Sequence, residues 1–400
     1  MRLQLPRSSI SNLLPAALLG DRLFATVSVA HLAVDVLNGM RAILLTFLSG
    51  PLGLSNIALS LVSTVYVSCA AIAQPLFGHL ADRLGPRWLV AGGVLWMGAF
   101  FSLAVVVPGP LSLVLLVIAS LGSGAFHPAG AMEATLRGQE RYSGRETTSA
   151  AYFFLFGQMG AFFGPLLAGP LLNRYGTWGL LILTVPVLLV GLNAAGQDYG
   201  SLVSFPKVQQ PARQAYRSFP RLRVGLVAFA SVAAFQSWAQ QNMVTFVPKY
   251  LSDLGYSPVV YGLVAALFMG GTALGNLFGG YLADRFGKRR VASWTLMAAS
   301  LPLALIPGTA WIGWLILLVP LSGLLTGAVH SILVVLAQRR LPGGMALASG
   351  LILGYMFTSG ALGTLLTGYL ADLHGLPVVF YLSAALVLAA AGLTRYIPKG

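Results

Sequence analysis

Three ionisable side chains within long apolar segments have the types and spacing for proton transfer. His31 and Asp35 lie four residues apart, so a helix would place both on one face, and His127 lies in a later segment. An ionisable group in hydrocarbon costs roughly 2.5–3.5 kcal/mol on insertion scales, which makes each a candidate functional residue. A carboxylate beside imidazoles can exchange a proton near neutral pH. We therefore expect Asp35 to carry a proton, with His31 or His127 as the relay.

Structural roles for the same residues stay open at this point. Asp35 could pair with an arginine or bond the backbone as a tie between helices. Either histidine could be a packing residue whose ring nitrogens are satisfied locally. Glu133 lies near the end of its apolar segment, and we expect it to pair with a loop arginine such as Arg137 rather than to carry protons.

Other polar and aromatic residues in the apolar segments are candidates for a substrate cavity that binds a small amphiphilic molecule. Arg41 lies about 9 Å along a helix from Asp35 and on another face, so we expect it to be a charge partner or to contact a substrate anion. Most aromatic residues in such segments only pack against neighbours or lipid. The candidate cavity residues are Arg41, Asn38, Gln236, Gln240, Asn242, His330, Tyr152, Phe156 and Trp238.

Composition places these residues in a membrane protein. Of the 400 residues, 57% are hydrophobic and 8% are charged, and the mean hydropathy is +0.81. Soluble domains have about 25% charged residues. A run of about 20 apolar residues can cross the hydrocarbon core. Twelve such runs are predicted, at 23–48, 56–79, 88–107, 111–136, 147–172, 177–195, 222–250, 258–281, 290–308, 311–337, 345–371 and 376–394.

The positive charge follows the predicted membrane topology. The formal net charge is +14, which by itself would suit a nucleic-acid partner. With a cytoplasmic N-terminus, however, all of the 24 Lys and Arg except Arg41, Arg174 and Lys249 fall on the cytoplasmic side. This bias is typical of inserted helices and predicts an inner-membrane protein with both termini in the cytoplasm and no nucleic-acid partner.

Repeated motifs divide the chain into two similar halves. Gly78–Arg87 and Gly280–Arg289 share one pattern about half the chain apart, and Gly124–His127 matches Gly327–His330. A duplication of six spans would give a pseudo-two-fold axis along the membrane normal and a site between the halves. We predict an N-terminal cytoplasmic arm (1–22), an N-terminal bundle (23–195), a cytoplasmic linker (196–220) and a C-terminal bundle (221–400).

The repeated Gly-x-x-x-Asp-Arg-x-Gly-x-Arg pattern resembles the hallmark loop of the major facilitator superfamily. The resemblance implies an all-α membrane protein of twelve transmembrane helices in two pseudo-symmetric six-helix bundles. It also implies that the loops hold one conformation closed at the cytoplasmic side, although a solvated turn of charges is the alternative. The expected gating residues are Gly78, Asp82, Arg83, Gly85, Arg87, Asp284, Arg285, Gly287 and Arg289.

The fifth apolar segment resembles the Gly-Pro motif of antiporters in this superfamily. Its residues Gly157, Gly160 and Gly164 would allow close helix packing, and Pro165 would bend the helix. The alternative to an antiporter motif is an ordinary helix interface of small residues. Together with His31–Gly39 and Gly124–Pro128, the segment resembles the fosmidomycin-resistance branch. That resemblance implies proton-driven efflux of small molecules.

A secondary active transporter is therefore the predicted function, most specifically an antiporter that exports small amphiphilic molecules or drugs by alternating access. An uptake symporter or a lipid or metabolite transporter on the same fold stays open, and so does a scaffold without transport. No nucleophile elbow or phosphate-binding loop is found, and the five histidines are far apart in sequence. We expect no enzyme activity, cofactor or metal. The partners would be protons, a small-molecule substrate and the lipid bilayer, and the chain would work as a monomer.

Overall fold

The computed structural model describes residues 20–141, 146–198, 220–309, 311–338 and 345–397, and these residues are helical with short connections. Short 3₁₀ segments lie at Thr177–Leu180, Ile306–Gly308 and Thr394–Tyr396. The α-helices of the described part are α1 (Arg22–Ser49), α2 (Asn56–Leu84), α3 (Pro86–Val106), α4 (Leu111–Arg141), α5 (Glu146–Tyr175), α6 (Leu181–Ala195), α7 (Pro220–Asp253), α8 (Pro258–Phe286), α9 (Lys288–Leu305), α10 (Ile312–Gly327), α11 (His330–Gln338), α12 (Met345–His374) and α13 (Pro377–Leu393).

Within the described residues, eleven helical stretches are long and apolar enough to cross a membrane. The predicted seventh span is not among these eleven. Its helix, α7, is long enough at 34 residues, but it is less apolar than the others. Its polar run, which includes Gln236, Gln240 and Asn242, lowers its hydropathy. Gln236 and Asn242 are fully buried, and α7 packs against α12 and α13. Other helices therefore cover much of α7's polar surface.

The predicted tenth span is divided between two helices. α10 ends at Gly327, and α11 begins at His330 after a turn at Ala328 and Val329. The turn lies against α8, where Gly279 contacts Ala328 and Thr272 contacts Gly327. The predicted span thus corresponds to the candidate membrane span Ile312–Ala337, whose helix is interrupted at this turn.

The repeated motifs form tight turns between helices rather than extended loops. Gly85 lies between α2 and α3 with φ of 84°, and Gly287 lies between α8 and α9 with φ of 92°. L side chains rarely adopt this region, so glycine suits both positions. The amide of each glycine bonds the carbonyl four residues back, at 2.9 Å from Ala81 and from Ala283. The side chains of Asp82 and Asp284 lie outside the described part.

The two halves, α1–α6 and α7–α13, meet mainly through α2 against α12 and α5 against α8. Asp372 at the end of α12 accepts hydrogen bonds from the first amides of α2, at 2.7 Å from Asn56 and 2.9 Å from Ile57. Farther along α2, Thr64 donates to the Ala361 carbonyl at 2.7 Å. These contacts lie toward the end of the molecule opposite the Gly85 and Gly287 turns.

The predicted arm and linker fall mostly outside the described residues, so their boundaries stay predictions. α1 begins at Arg22, where the Asp21 carboxylate accepts from the amides of Leu23 at 3.1 Å and Phe24 at 2.9 Å. This N-cap fixes the start of α1.

Asp372→Ala should loosen the contact between the halves, because it removes a charged cap that α12 provides to α2. We expect severalfold faster hydrogen exchange at residues 55–64 and also at the distant α5–α8 contact. Exchange of the purified protein, measured by mass spectrometry, checks this. Asp253→Ala is the matched control, since Asp253 is exposed and pairs with Lys249 on its own helix. Faster exchange confined to Asn56 and Ile57 would mean that the cap acts only locally.

Candidate functional site

Close packing of α5 on α1 positions the site. Three α5 glycines face α1, where a Cβ on Gly157 would lie 2.7 Å from Asp35 Oδ2 and one on Gly160 would lie 2.9 Å from the Val36 amide nitrogen. A Cβ on Gly164 would lie 2.8 Å from the Met40 amide nitrogen. Any larger residue would push the helices apart. The glycines of the predicted antiporter motif therefore form the α1–α5 interface.

His31 is held in one orientation by α5. Its Nδ1 donates to the Phe153 carbonyl at 2.7 Å, and its ring stacks on Phe153 with centroids 4.1 Å apart. The side chain is 2% exposed. Because a carbonyl only accepts, the proton on Nδ1 is assigned, and Nε2 faces Asp35 Oδ2 at 3.3 Å.

His127 of α4 approaches Asp35 from the other side in the same manner. Its Nδ1 donates to the Ser123 carbonyl at 2.8 Å, and its Nε2 lies 3.4 Å from Asp35 Oδ1. Two imidazole Nε2 atoms therefore face one carboxylate. A neutral ring in this tautomer would point a lone pair at the carboxylate, so a proton on Nε2 is favoured by the geometry. The cluster is a place where protons can bind and leave.

A chain of hydrogen bonds extends from Asp35 toward Arg41. Asn38 donates to Asp35 Oδ1 at 2.8 Å and accepts from the Tyr66 hydroxyl at 2.7 Å. The guanidinium of Arg41 lies over the Tyr66 ring, 4.8 Å from its centroid, and Arg41 Nη1 donates to the Ser63 carbonyl at 3.3 Å. Arg41 and Asp35 make no direct ion pair, as their helical spacing predicted.

The ligand-capable atoms of His31, Asp35 and His127 all lie within 4.8 Å of one another. The expectation of no metal cluster rested on the large separation of the histidines in the sequence. That separation does not by itself exclude a shared cation, because these side chains meet in the fold. The fold brings α1 and α4 together where the sequence separates them.

The Major Facilitator Superfamily model matches residues 27–251 and 226–399. The chain belongs to the Major Facilitator Superfamily. It is thus a multi-span membrane transporter of small molecules and not an enzyme, which confirms the predicted family and the all-α fold.

Relatives and solved structures agree with this assignment. The chain is 25% identical over 386 residues to the fosmidomycin resistance protein of Escherichia coli strain K12, covering 94% of this chain and 92% of that protein. It is 26% identical over 361 residues to the MFS-type transporter YfnC of Bacillus subtilis strain 168, covering 88% and 86%.

Two solved structures share the fold. A bacterial homologue of the human lysosomal transporter Spinster, in an inward-facing and occupied conformation, matches with a TM-score of 0.79 at 13% identity over 93% of this chain and 95% of that chain. The nucleoside transporter NupG matches with a TM-score of 0.73 at 16% identity over 94% of this chain and 100% of that chain.

The candidate residues of α7 in this Major Facilitator protein contact helices of their own half. Gln236 donates to the Thr326 carbonyl at 3.1 Å, Trp238 donates to Thr367 at 2.8 Å, and Asn242 donates to Ser383 at 3.1 Å. Yet the side-chain oxygens of Gln236 and Asn242 and the Gln240 amide nitrogen are buried without a partner in the described part. Gln236 and Asn242 therefore tie helices together, and each keeps one unused polar atom.

The other candidates take separate positions. Tyr152 and Phe156 are partly buried on α5, one turn apart, and His330 begins α11 in the other half. Glu133 pairs with Arg137 at 3.1 Å, as expected.

Of the candidate gating residues, Arg87 contacts the end of α6 in its own half. Its Nη2 donates to the Ala195 carbonyl at 2.6 Å, while Arg83 and Arg285 are exposed.

Sequence reasoning missed the roles that three groups play in completing the site. The carbonyls of Phe153 and Ser123 set the histidine tautomers, and Tyr66 links Asn38 to Arg41. Ser123 lies four residues before His127, a helical spacing that could have been noticed. Nothing in the sequence pairs Phe153 with His31, since that contact depends on how α5 packs against α1.

Gly160→Ala should lower the melting temperature, because overpacking of a close helix contact typically costs about 1–3 kcal/mol. Gly92→Ala in α3 is the matched control, because nothing lies within 4 Å of a Cβ there. Alanine stabilises an open helical position by about 0.5–1 kcal/mol relative to glycine, so this variant should melt no lower than wild type. Thermal unfolding of the purified protein measures both. Equal shifts in the two variants would contradict the α1–α5 interpretation.

Proposed function

We propose that this transporter exchanges protons for small amphiphilic molecules by alternating access and exports them from the cytoplasm. The observation that carries the proposal is the partly buried Asp35 carboxylate between the Nε2 atoms of His31 and His127. Both rings use Nδ1 on backbone carbonyls, so proton exchange takes place at Nε2, beside the carboxylate. Asp35 is the proposed carrier, and the two histidines are the proposed relays.

α5 provides a physical route from the proton site to the contact between the halves. Its glycines pack on α1 beside Asp35, and its Pro165–Gly169 stretch packs on the start of α8, where a Cβ on Gly262 would lie 2.6 Å from the Pro165 carbonyl. A change of charge at Asp35 alters the energy of the α1–α5 contact. Because α5 also contacts α8, that change can bias the equilibrium between two arrangements of the halves.

The substrate is proposed to bind between the halves, near Asn38, Arg41 and the unused polar atoms of Gln236, Gln240 and Asn242. The aromatic residues Tyr152, Phe156 and Trp238 would contact its apolar part, and His330 would contribute from the other half. The turns at Gly85 and Gly287 are the proposed gates at the opposite end from Asp372.

Support for efflux comes from the relative described as a fosmidomycin resistance protein and from the antiporter motif in α5. The arrangement of Lys and Arg supports an inner-membrane location with both termini in the cytoplasm. A monomer is proposed because one chain holds both halves.

An uptake symporter or a lipid or metabolite transporter is the second candidate. The solved structures that share the fold are described as a nucleoside transporter and a homologue of a lysosomal transporter. Fold does not fix substrate or direction, so this alternative is separated by experiment.

In proteoliposomes with an internal pH dye, fosmidomycin or an amphiphilic drug should drive proton movement with wild type, because substrate and protons exchange across the membrane. Asp35→Asn should abolish this movement, since the amide cannot carry the proton. His31→Gln and His127→Gln should reduce it about tenfold or more. His79→Gln is the matched control, because His79 is an exposed histidine on α2.

Two further measurements test the identity of the cation and the direction of transport. Washing with EDTA should leave proton movement unchanged, since the proposed cation is a proton. Reversing the pH gradient separates exchange from cotransport, because protons and substrate move in opposite directions only in an antiporter. Substrate flux without proton movement, or movement unaffected by Asp35→Asn, would show that Asp35 is not the carrier.

A further inference from the structure

Arg41 is a buried charge without an acidic partner. Its side chain is 4% exposed, and no carboxylate within the described residues forms an ion pair with it. Within the described part of the chain Nε has no hydrogen-bond partner, and the bond from Nη1 to the Ser63 carbonyl is long, at 3.3 Å. Asp35, the nearest acid along α1, is already contacted by two imidazoles and Asn38. Burial of an unpaired charge is costly, so its retention needs another cause.

The surroundings of Arg41 suit a ligand with an oxyanion and an apolar body. The guanidinium offers a planar fork of donors, which binds carboxylate, phosphonate or phosphate groups in bidentate fashion. One face of the guanidinium is covered by the Tyr66 ring, which would also contact an apolar ligand. The Ser63 carbonyl occupies one donor in this structure. A backbone carbonyl is a weaker partner than an anion, so an incoming oxyanion can displace it.

Arg41 also lies beside a contact between the halves. Ser63, whose carbonyl accepts from Arg41, has its hydroxyl 3.2 Å from Thr245 of α7. An anion can reach the buried guanidinium when α2 and α7 separate at this point. Binding there would favour the separated arrangement, because only that arrangement provides the contact. The Tyr66–Asn38–Asp35 bonds connect the same residues to the proton site.

We infer that Arg41, with Tyr66, forms an anion-binding subsite and that the transported molecules include small amphiphilic oxyanions. The inference rests on the proposed function in naming a substrate class, but the subsite itself binds without any proton gradient. The oxyanion can belong to a soluble molecule or to a lipid headgroup, and the experiment separates these sources.

The test measures binding to the full-length protein in phosphatidylcholine nanodiscs by calorimetry. The probes are phenylphosphonate, benzoate and benzamide, the last being a neutral molecule of nearly the same shape as benzoate. We expect wild type to bind both anions at least tenfold more tightly than benzamide. Arg41→Gln should lose this preference, and Arg41→Lys should weaken it because the charge stays but the fork is lost.

Arg174→Gln is the matched control, since Arg174 also lies over a tyrosine ring, Tyr175, but is exposed. It should bind the anions as wild type does. Adding phosphatidylglycerol to the nanodiscs distinguishes the sources: competition with benzoate assigns the subsite to a lipid headgroup, and no competition assigns it to soluble anions.

A stability measurement separates binding from a merely structural role. Without anions, Arg41→Gln should melt no lower than wild type, because the substitution removes an unpaired buried charge. A large drop in melting temperature, with anion preference retained in Arg41→Gln, would make Arg41 a structural residue.

Equal binding of benzoate and benzamide by wild type would overturn the inference without any variant. That result would leave proton exchange at Asp35 unaffected. Conversely, the protein could bind anions through Arg41 and show no substrate-driven proton movement. That pair of results would overturn only the proposed proton coupling.

Discussion

The contact between α1 and α5 is the constraint on which the site depends. Gly157 and Gly160 let the two backbones approach until the Phe153 carbonyl reaches His31 and α5 covers Asp35. A side chain at either glycine would separate these groups. The geometry of the site therefore depends on the glycines of α5 as much as on the ionisable groups of α1.

α5 also connects the site to the other half of the protein. Pro165 packs against Gly39 of α1, and its carbonyl lies against Gly262 of α8 in the other half. A bundle held together by close backbone contacts transmits small shifts, because such interfaces do not deform continuously. Asp372 adds a charged cap across the halves at α2. Under the proposed function, protonation beside α5 would therefore be coupled to closure at this end through connected helices.

Much of the fold and part of the site could be predicted from the sequence. Apolar length and the repeated glycine turns are local signals, so the helices and the family followed directly. His31 and Asp35 share a helix face by spacing alone, and His127 stands out as an ionisable residue in a later apolar segment. The break before His330 and the self-contained bonding of Gln236 and Trp238 depend on packing between distant helices. The same is true of the Phe153 carbonyl and of the Tyr66 link, which no spacing rule provides.

The most direct test of the central claim is to count protons released when a substrate binds the purified protein. Calorimetry of fosmidomycin binding in buffers with different ionisation enthalpies gives this number without a membrane gradient. If substrate binding displaces the proton from the Asp35 cluster, as the proposed exchange requires, wild type releases protons on binding and Asp35→Asn releases none. Binding without proton release in wild type, or equal release from the variant, would contradict the account.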